Sequence, residues 1–515
     1  MDLDAYRRSA ESFNEELMRE YYRHYAGLQD SFEIEAIYAR HAGLFTRDSV
    51  QALRDLDARA TADSDHTGES DHQRRARMLL DFAVEGYVGE STKAVEEQLA
   101  RAEAEMTIEV GGERIGFREA PVVQANEADA ARRVEIEAAL LAATRERLGP
   151  HHRELIERQH ACATELGWES YADMCAYCKR IDLQALSRQT AAFADASAQS
   201  YREVLDPELR RTLGTSLDEL RRADLPRFFR AAEEDRHFPR VRLIESFVET
   251  MRGLGIDVGG QRGVTFDIGS RPNKSPRAFC APVRVPGEVY LVVAPVGGWD
   301  DFATLFHEGG HTEHAANTDP GLPFEFRCLG DNSISETYAF LMQHLVENPD
   351  WLARRLDLDD PSELVAHARA QRLVYLRRYA GKLAYELELH GPGAAERGAD
   401  GGAGDRDADW GALSHRYSEL LGDAIRVDWP TETFLADVDE GFYCACYLRA
   451  WALETHLRSH LRERFGPAWF ESREAGRVLQ ALWRDGQRLD ADELLGNLTG
   501  ERLDFGVVLA DLGFS

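Results

Sequence analysis

The feature that most constrains this chain is a short stretch in which two histidines share one face of a predicted helix. Residues 302–316 read FATLFHEGGHTEHAA, and His307 and His311 are four positions apart. Because residues four apart face the same way on an α-helix, both imidazoles can bind one Zn²⁺ through neutral ring nitrogens at about 2.0–2.1 Å. Glu308, beside the first histidine, can accept a proton from a water that the metal activates. The stretch therefore predicts a helix that carries a metal site.

Signals around this stretch favour a helix and indicate that another element packs tightly against it. Asp300 or Asp301 is expected to cap the first turn, where the helix dipole favours negative charge. Gly309 and Gly310 each cost about 1 kcal/mol relative to alanine in a helix interior, so we expect them to make room for a close neighbour. The apolar stripe expected to face the core consists of Phe302, Leu305 and Phe306.

A third metal ligand is expected further along the chain. Glu336 lies 336 − 311 = 25 residues after His311, in the stretch DNSISETYAF of residues 331–340. The apolar residues here favour a mostly buried helix, in which an acid is costly unless it is paired or bound to a metal. Two histidines and one glutamate with an open fourth position form a catalytic zinc set rather than a structural one. We therefore expect His307, His311 and Glu336 to bind one Zn²⁺ per chain, with cobalt and manganese as alternatives.

These motif residues resemble the thimet-oligopeptidase and oligoendopeptidase family of zinc metallopeptidases. The signature of that family is a HExGH helix followed by a glutamate 25 residues after the second histidine, and the similarity includes Leu305-Phe306, Gly310 and His314. A wider group with this architecture includes angiotensin-converting enzyme and a family of zinc carboxypeptidases. The resemblance implies a mostly α fold, in which two helical halves flank a deep substrate channel and a small β-sheet lies next to the zinc helix. His314 is then expected to orient a ligand or the substrate.

A short β-sheet is expected immediately before the metal helix. Residues 264–295 contain two apolar runs around Pro286-Gly287, a pair that favours a turn. The resemblance implies that the last strand, Glu288–Val293, forms the sheet edge along which a substrate peptide lies. Such pairing holds a peptide through its main chain without reading its side chains. The alternative is a purely structural hairpin.

Two tyrosines near the C-terminus are the expected donors to the transition state. Tyr443 and Tyr447, in residues 441–455, share one face of a predicted helix, and a phenol suits an oxyanion. The resemblance implies that one of them reaches over the zinc, with Tyr447 the first choice and Tyr443 the second. The alternative is that both are packed aromatics. Thimet-like relatives also place a histidine about a dozen residues before the last tyrosine, but Leu435 stands there in this chain.

The expected activity is zinc-dependent hydrolysis of internal peptide bonds in short, unstructured oligopeptides. Glu308 would serve as the general base, and Tyr447 or Tyr443 would stabilise the oxyanion. One alternative is a carboxypeptidase or dipeptidyl carboxypeptidase on the same scaffold. It would need a cation for the C-terminal carboxylate of the substrate, and the arginines considered are Arg277, Arg327 and Arg449. A second alternative is a non-enzymatic helical binding protein with a vestigial metal site.

Composition and charge narrow the expected partners. The 515 residues carry a formal net charge of −30, which argues against nucleic acid as a partner. No apolar segment follows Met1, and no run of about 18 apolar residues occurs, so we expect neither an export signal nor a membrane span. The seven cysteines are odd in number, which favours reduced thiols in the cytoplasm. The expected partners are short peptides, with the chain a monomer or a homodimer.

The expected domain organisation divides the chain in two. Residues 1–125 form an N-terminal helical region, with a β-hairpin near 107–118 around Gly111-Gly112. Residues 126–515 form the catalytic region. The stretch at 391–409, GPGAAERGADGGAGDRDAD, is rich in glycine and acidic residues, and it is expected to be a flexible surface loop.

Overall fold

Helices account for most of the structure, and the predicted mostly α fold is confirmed. The computed structural model describes residues 1–62, 70–393 and 403–514. The α-helices in chain order are α1 (Leu3–Tyr25), α2 (Ile34–Arg40), α3 (Arg47–Ala62), α4 (Asp71–Glu105), α5 (Ala120–Asn126), α6 (Ala130–Ala143), α7 (Gly149–Glu165), α8 (Tyr171–Lys179), α9 (Leu183–Ala196), α10 (Ala198–Leu213), α11 (Leu225–Arg230), α12 (Arg240–Gly253), α13 (Trp299–Asn317), α14 (Phe324–Cys328), α15 (Asn332–Gln343), α16 (Pro349–Leu356), α17 (Ser362–His390), α18 (Ala403–Ile425), α19 (Tyr443–Phe465), α20 (Arg473–Arg484), α21 (Ala491–Thr499) and α22 (Gly506–Asp511).

Short helical turns of other types connect these helices. They are the 3₁₀ segments Ala42–Leu44, Arg222–Asp224, Ala232–His237, Val258–Gly260, His344–Glu347, Glu440–Phe442 and Trp469–Glu471, and the π-helical segment Thr144–Leu148. The expected hairpin is present, with β1 (Thr107–Val110) antiparallel to β2 (Glu113–Gly116). Gly111 and Gly112 form its turn with φ of 59° and 83°, which glycine adopts without strain.

A short sheet precedes α13, as expected, and it has three strands, but its last strand does not lie at the edge as predicted. The strands are β3 (Val264–Asp267), β4 (Phe279–Arg284) and β5 (Glu288–Val292), in the spatial order β3-β5-β4. β5 is parallel to β3 and antiparallel to β4, so it has a neighbour on both sides. The expectation that the strand at Glu288–Val293 forms the sheet edge is therefore wrong, because β3 occupies the side that was thought to be open.

The chain forms two compact units, and each draws on separate stretches of sequence. Unit 1 consists of Met1–Val84, Glu234–Val365 and Arg449–Asp511. Unit 2 consists of Glu85–Glu233, Ala366–Leu448 and Leu512–Ser515. The helix α13, which carries the predicted ligands His307 and His311, the helix α15 and the three-stranded sheet all belong to unit 1. The channel that the resemblance implies stays a prediction.

The glycine-rich stretch at 391–409 is only partly a loop. Residues 394–402 lie outside the described part of the chain. From residue 403 the chain is helical, because α18 begins at Ala403. Glycine and aspartate are poor helix formers, but each added turn of an existing helix gains a hydrogen bond per residue, so α18 extends into this stretch. The loop prediction is therefore wrong for residues 403–409.

Two further observations concern the cysteines and the possibility of a membrane span. All seven cysteines, which lie in the described ranges, have free thiols. In the same ranges, every helix is too short or too polar for a bilayer crossing.

Candidate metal centre

The helix α13 is anchored in unit 1 by its apolar stripe. Phe302, Leu305 and Phe306 are fully buried. The ring of Phe306 packs edge-on against Phe247 of α12, with centroids 5.4 Å apart, and against Trp351 of α16, with centroids 5.0 Å apart. Aromatic pairs in this geometry add to the free energy gained from burial. The stripe expected from the sequence therefore forms the core contact of α13.

The first turn of α13 is capped differently from the prediction. The N-cap residue is Gly298, with φ of 96°, and it has no side chain to offer. Asp235 Oδ1 instead accepts the backbone N–H of Trp299 at 3.0 Å. Asp301 Oδ2 accepts the N–H groups of Val296 and Gly297, at 2.6 Å and 2.7 Å, and so stabilises the preceding loop. The predicted cap by Asp300 or Asp301 is therefore wrong, because a residue distant in sequence supplies it.

The two glycines of α13 allow other helices to lie directly against it. A Cβ atom on Gly310 would be 2.5 Å from the carbonyl oxygen of Tyr338 and 2.6 Å from Cα of Ala339, both on α15. A Cβ atom on Gly309 would be 2.3 Å from the ring of Phe247. Real Cβ atoms essentially never approach so closely. The expected close neighbour is present, and it is the helix that carries Glu336.

Three predicted ligands converge as a result, and we call His307, His311 and Glu336 the triad. Glu336 Oε2 lies 3.4 Å from His307 Nε2 and 3.7 Å from His311 Nε2. The ligand atoms of all three lie within 4.8 Å of one another. Two ligands at about 2.05 Å from a tetrahedral zinc ion are about 3.3 Å apart, so the two distances from Glu336 Oε2 to the histidine nitrogens are close to those that Zn²⁺ requires.

The Nδ1 atoms of both histidines, which face away from Glu336, have hydrogen-bond partners that were not predicted from the sequence. Gln343 Oε1 lies 2.9 Å from His307 Nδ1, and Ser335 Oγ lies 2.7 Å from His311 Nδ1. Such contacts fix the ring orientation, so that Nε2 of each ring faces the carboxylate. Ser335 precedes Glu336, and Gln343 follows Glu336 by seven residues on the same helix. The spacing of seven residues puts Gln343 on the helix face of Glu336, which is a signal in the sequence, whereas Ser335 is adjacent to Glu336 and has no such signal.

Glu308 lies beside the triad and contacts the edge of the sheet. Its Oε2 accepts the backbone N–H of Cys280, on β4, at 2.9 Å. Burial raises the pKa of Glu308 to about 6, although His307 and the Cys280 N–H act in the opposite direction. A main-chain donor has no signature in the sequence, so this contact could not be predicted. It aligns the carboxylate between the metal helix and β4.

The two triad histidines differ in their protonation equilibria. Burial lowers the pKa of His311 to about 4, and the nearby Glu336 only partly opposes this. Burial also acts to lower the pKa of His307, but hydrogen bonding and attraction from Glu336 outweigh it, so that pKa is raised. A metal ion needs both imidazoles neutral. His311 meets this condition at neutral pH, whereas a metal at the triad must compete with a proton on His307.

His314 is not one of the converging ligands. It is buried, and its Nε2 donates to the carbonyl oxygen of Gly486 at 3.1 Å. Its ring packs on that of Tyr338, with centroids 4.9 Å apart. Burial lowers the pKa of His314 to about 4, so the ring is neutral. The expectation that it orients a ligand or substrate stays a prediction.

The two predicted tyrosines lie in unit 2, at the start of α19. Tyr443 and Tyr447 are partly buried, and their rings pack edge-on with centroids 4.9 Å apart. Tyr447 also packs edge-on against Tyr379 of α17, with centroids 5.8 Å apart. They therefore belong to an aromatic cluster. Their expected role as donors to an oxyanion stays a prediction.

Comparisons with known proteins give no family assignment for this chain. No protein-family model matches it, and no curated protein matches it. The resemblance to zinc peptidases therefore depends on the sequence motifs alone, and the residues in them that carry the chemistry are His307, Glu308, His311 and Glu336. What the structure adds is that these four, which the sequence separates into two stretches, lie together in unit 1.

Proposed function

We propose that this chain is a zinc metallopeptidase that hydrolyses peptide bonds of short, unstructured oligopeptides. The observation that carries the proposal is the convergence of two imidazole nitrogens and one carboxylate, with Glu308 alongside. Two histidines and one glutamate leave a fourth position for water or substrate, which is typical of catalytic zinc rather than structural zinc. Bound there, Zn²⁺ supplies a Lewis acid for the scissile carbonyl and lowers the pKa of a water to about 7.

The residues around the triad then have separate tasks. Glu308 takes the proton from the attacking water and passes it to the nitrogen of the leaving amine, so the proton balance closes. The Cys280 N–H holds the Glu308 carboxylate in place for both transfers. Gln343 and Ser335 keep the two imidazoles turned toward Glu336. The donor to the oxyanion that the sequence predicts, Tyr447 or Tyr443, stays a prediction.

The edge strand β4 is the place where the peptide main chain would lie. β4 is the outer strand of its sheet on the side next to Glu308. Its partner β5 is paired on both sides and offers no free edge. An extended peptide that pairs with an edge strand gains main-chain hydrogen bonds and places successive carbonyls at regular spacing. The role that the sequence analysis gave to Glu288–Val293 is therefore proposed for Phe279–Arg284.

The substitution Glu308→Gln tests the proposal directly. It removes the proton acceptor but keeps the size of the side chain and the oxygen that accepts from Cys280. We expect zinc content to stay at one ion per chain while kcat falls by a factor of about 10² to 10⁴. Cleavage of a pool of unstructured peptides, followed by mass spectrometry with and without a chelator, measures the activity. Zinc analysis of the same samples measures the metal.

Glu313→Gln is the matched control on the same helix. Glu313 is buried, accepts from Gln261 Nε2 at 2.8 Å and has no place in the proposed mechanism. The same chemical change there should leave both kcat and zinc content near the wild-type values. If Glu308→Gln retained full activity, or if the wild type with bound zinc cleaved no peptide in the pool, the proposed function would be wrong.

A further inference from the structure

We infer that a cavity at the junction of α12 and α20 binds a small organic phosphate, a phosphomonoester with an apolar or aromatic body. The cavity has a volume of about 420 Å³, and all of its lining residues belong to unit 1. The lining includes no member of the triad, and neither Glu308 nor a residue of the three-stranded sheet belongs to it. The inference therefore goes beyond the proposed function and does not depend on it.

Three arginines give this cavity a charge opposite to that of the chain. Arg252, Arg473 and Arg477 line it together with one acid, Asp257. In the whole chain the balance is reversed, with 91 acidic and 61 basic residues. A cavity lined mainly by one sign of charge raises the local concentration of ions of the opposite sign. This cavity is therefore expected to attract anions in a chain that otherwise repels them.

The guanidinium groups of the cavity are available to a ligand. Arg252 and Arg473 are exposed, and neither has an ion pair or a side-chain hydrogen bond in the part of the chain that the structure describes. Arg477 pairs with Glu474 at 2.7 Å, but these side chains are 67% and 63% exposed. Ion pairs at such exposed positions contribute little to stability, so Arg477 can turn to a ligand at small cost.

Two acids close to the cavity do not neutralise its arginines. Asp257 Oδ2 lies over the turn that follows it, since a Cβ atom on Gly260 would be 2.7 Å from this oxygen. Glu471 lies against Gly253 at the end of α12, and it pairs with Arg355 at 2.7 Å. The positive charge of the cavity therefore has no counterpart in these neighbouring carboxylates.

The packing of two backbones holds the arginines of α20 beside the end of α12. A Cβ atom on Gly476 would overlap the carbonyl oxygen of Leu254, so the two helices are in direct contact there. Arg473 and Arg477 are four residues apart and share one face of α20. Cγ of Arg473 lies 3.1 Å from the position that a Cβ atom on Gly255 would take.

The position of Arg473 in its helix argues against a purely structural role. It is the first residue of α20, and the helix dipole disfavours a positive charge in the first turn. Arginine at this position therefore costs stability when the cavity is empty. An anion bound beside it would be favoured by both the guanidinium and the helix dipole.

The number of arginines and the apolar part of the lining indicate the class of ligand. A carboxylate has two oxygens and one negative charge, whereas a phosphomonoester has three acceptor oxygens and a charge of about −1.5 to −2 at pH 7. Three guanidinium groups therefore match a phosphate better, because each can donate two parallel hydrogen bonds. A cavity of a few hundred Å³ with apolar walls and a few convergent polar groups is typical of a site for a small molecule. The apolar side chains of the lining are those of Val248, Leu254, Ile256 and Val258.

The test measures the binding of phenyl phosphate to the full-length, zinc-loaded chain by isothermal titration calorimetry. Arg252→Gln and Arg473→Gln should each weaken binding about 10-fold or more, because each removes a charge-assisted hydrogen bond. Arg240→Gln is the matched control, since Arg240 is exposed and has no ion pair within the described ranges but lies at the opposite end of α12. It should bind phenyl phosphate as the wild type does. No binding to the wild type, or equal binding to all three variants, would overturn the inference.

Two further comparisons test which part of the ligand is recognised and where it binds. Phenyl phosphate should bind about 10-fold more tightly than inorganic phosphate, because its ring covers apolar surface of the cavity. Equal affinities would indicate a site for any anion and would overturn the inference. His311→Ala should bind phenyl phosphate as the wild type does, whereas a loss of binding would place the phosphate on the metal and would also overturn it. None of these measurements requires hydrolysis of a peptide, so a failure of the proposed function would leave their outcome unchanged.

Discussion

Each unit of the molecule contains a group of three residues that could bind a metal, and their surroundings differ. The triad lies in unit 1. The second group, which we call the trio, lies in unit 2 and consists of Glu386, Asp439 and Cys444. In both groups the ligand atoms lie within 4.8 Å of one another. Distance alone therefore does not distinguish the two groups. What distinguishes them is which other groups of the chain the ligand atoms contact.

In the trio, a lysine of the chain provides the positive charge next to the two carboxylates, and the cysteine thiol donates a proton to one of them. Lys382 Nζ lies 2.7 Å from Asp439 Oδ1 and 3.9 Å from Glu386 Oε1. The Cys444 thiol donates to Glu386 Oε2 at 3.0 Å, and burial raises its pKa well above the ordinary value. A metal would have to displace an ammonium group and remove a thiol proton from a buried site. The trio is therefore a salt-bridge network that is closed by Lys382 and the Cys444 thiol, with Asp439 Oδ2 as its one oxygen that is buried without a hydrogen-bond partner among the described residues.

In the triad, the polar contacts of the histidines are made by Nδ1, and they orient the rings so that Nε2 faces Glu336. The outer nitrogens of both histidines are held by Gln343 and Ser335. Their inner nitrogens converge on Glu336. Three metal-ligating residue types at these distances can therefore form either a candidate metal site or a salt-bridge network, and the partners of their ligand atoms distinguish the two.

The largest expected difference between the two groups is in metal content. His311→Ala should reduce bound zinc from one ion per chain to none, because two ligands do not hold zinc in competition with water and buffer. Cys444→Ser should leave zinc content unchanged, because the trio binds its own lysine and serine can still donate to Glu386. Zinc analysis of the purified chains after dialysis measures both. A loss of zinc in Cys444→Ser, with circular dichroism unchanged, would contradict the comparison.

Much of the triad could be predicted from the sequence because the signals are local. Helical periodicity places His307 and His311 on one face, and a buried acid in an apolar helix identifies Glu336 as unusual. The cost of adjacent glycines in a helix predicts a close neighbour, which the packing of α15 against Gly310 confirms. The mostly α fold and the hairpin at Gly111-Gly112 follow from similarly local patterns.

Features that depend on distant parts of the chain could not be predicted. The cap of α13 comes from Asp235, which is 64 residues before the N–H it accepts. The central place of β5 depends on a parallel partner, β3, which is not its neighbour in sequence. The partner of Glu308 is a main-chain N–H, which every residue except proline carries. Such contacts are set by tertiary packing and leave no residue-type signal.

A smaller effect is expected from closing the space between α13 and α15. Gly310→Ala places a methyl group against the backbone of Tyr338 and Ala339, which cannot move without shifting α15. Overpacking of this kind typically costs about 1 to 3 kcal/mol of unfolding free energy. Zinc binding should weaken as well, because the triad spans these two helices. Urea unfolding and a zinc competition titration measure the two effects.

Gly411→Ala is the control for Gly310→Ala. Gly411 lies within α18, and a Cβ atom there would have nothing within 4 Å. Alanine should therefore stabilise the chain by up to about 1 kcal/mol through its helix propensity, with zinc binding unchanged. If both variants gave the same change in stability, the close approach of α15 would not be the reason why alanine at position 310 is destabilising.

The last expected effect concerns the way in which the trio makes the stability of the chain depend on pH. Burial raises the pKa of Glu386 to about 8 from an ordinary value of 4.5, although Lys382 acts to lower it. Between these values the folded chain binds more protons at Glu386 than the unfolded chain does, so the free energy of unfolding falls as pH rises through this window. Glu386→Gln removes the titratable carboxyl group and should reduce the fall in unfolding free energy over this pH range. Thermal melting at a series of pH values measures the slope.

Glu388→Gln, at an exposed position on the same helix, should reproduce the wild-type slope. A wild-type slope in Glu386→Gln would mean that the trio is held by Lys382 as an ionised pair at neutral pH. The trio would then owe its resistance to metals to the lysine alone.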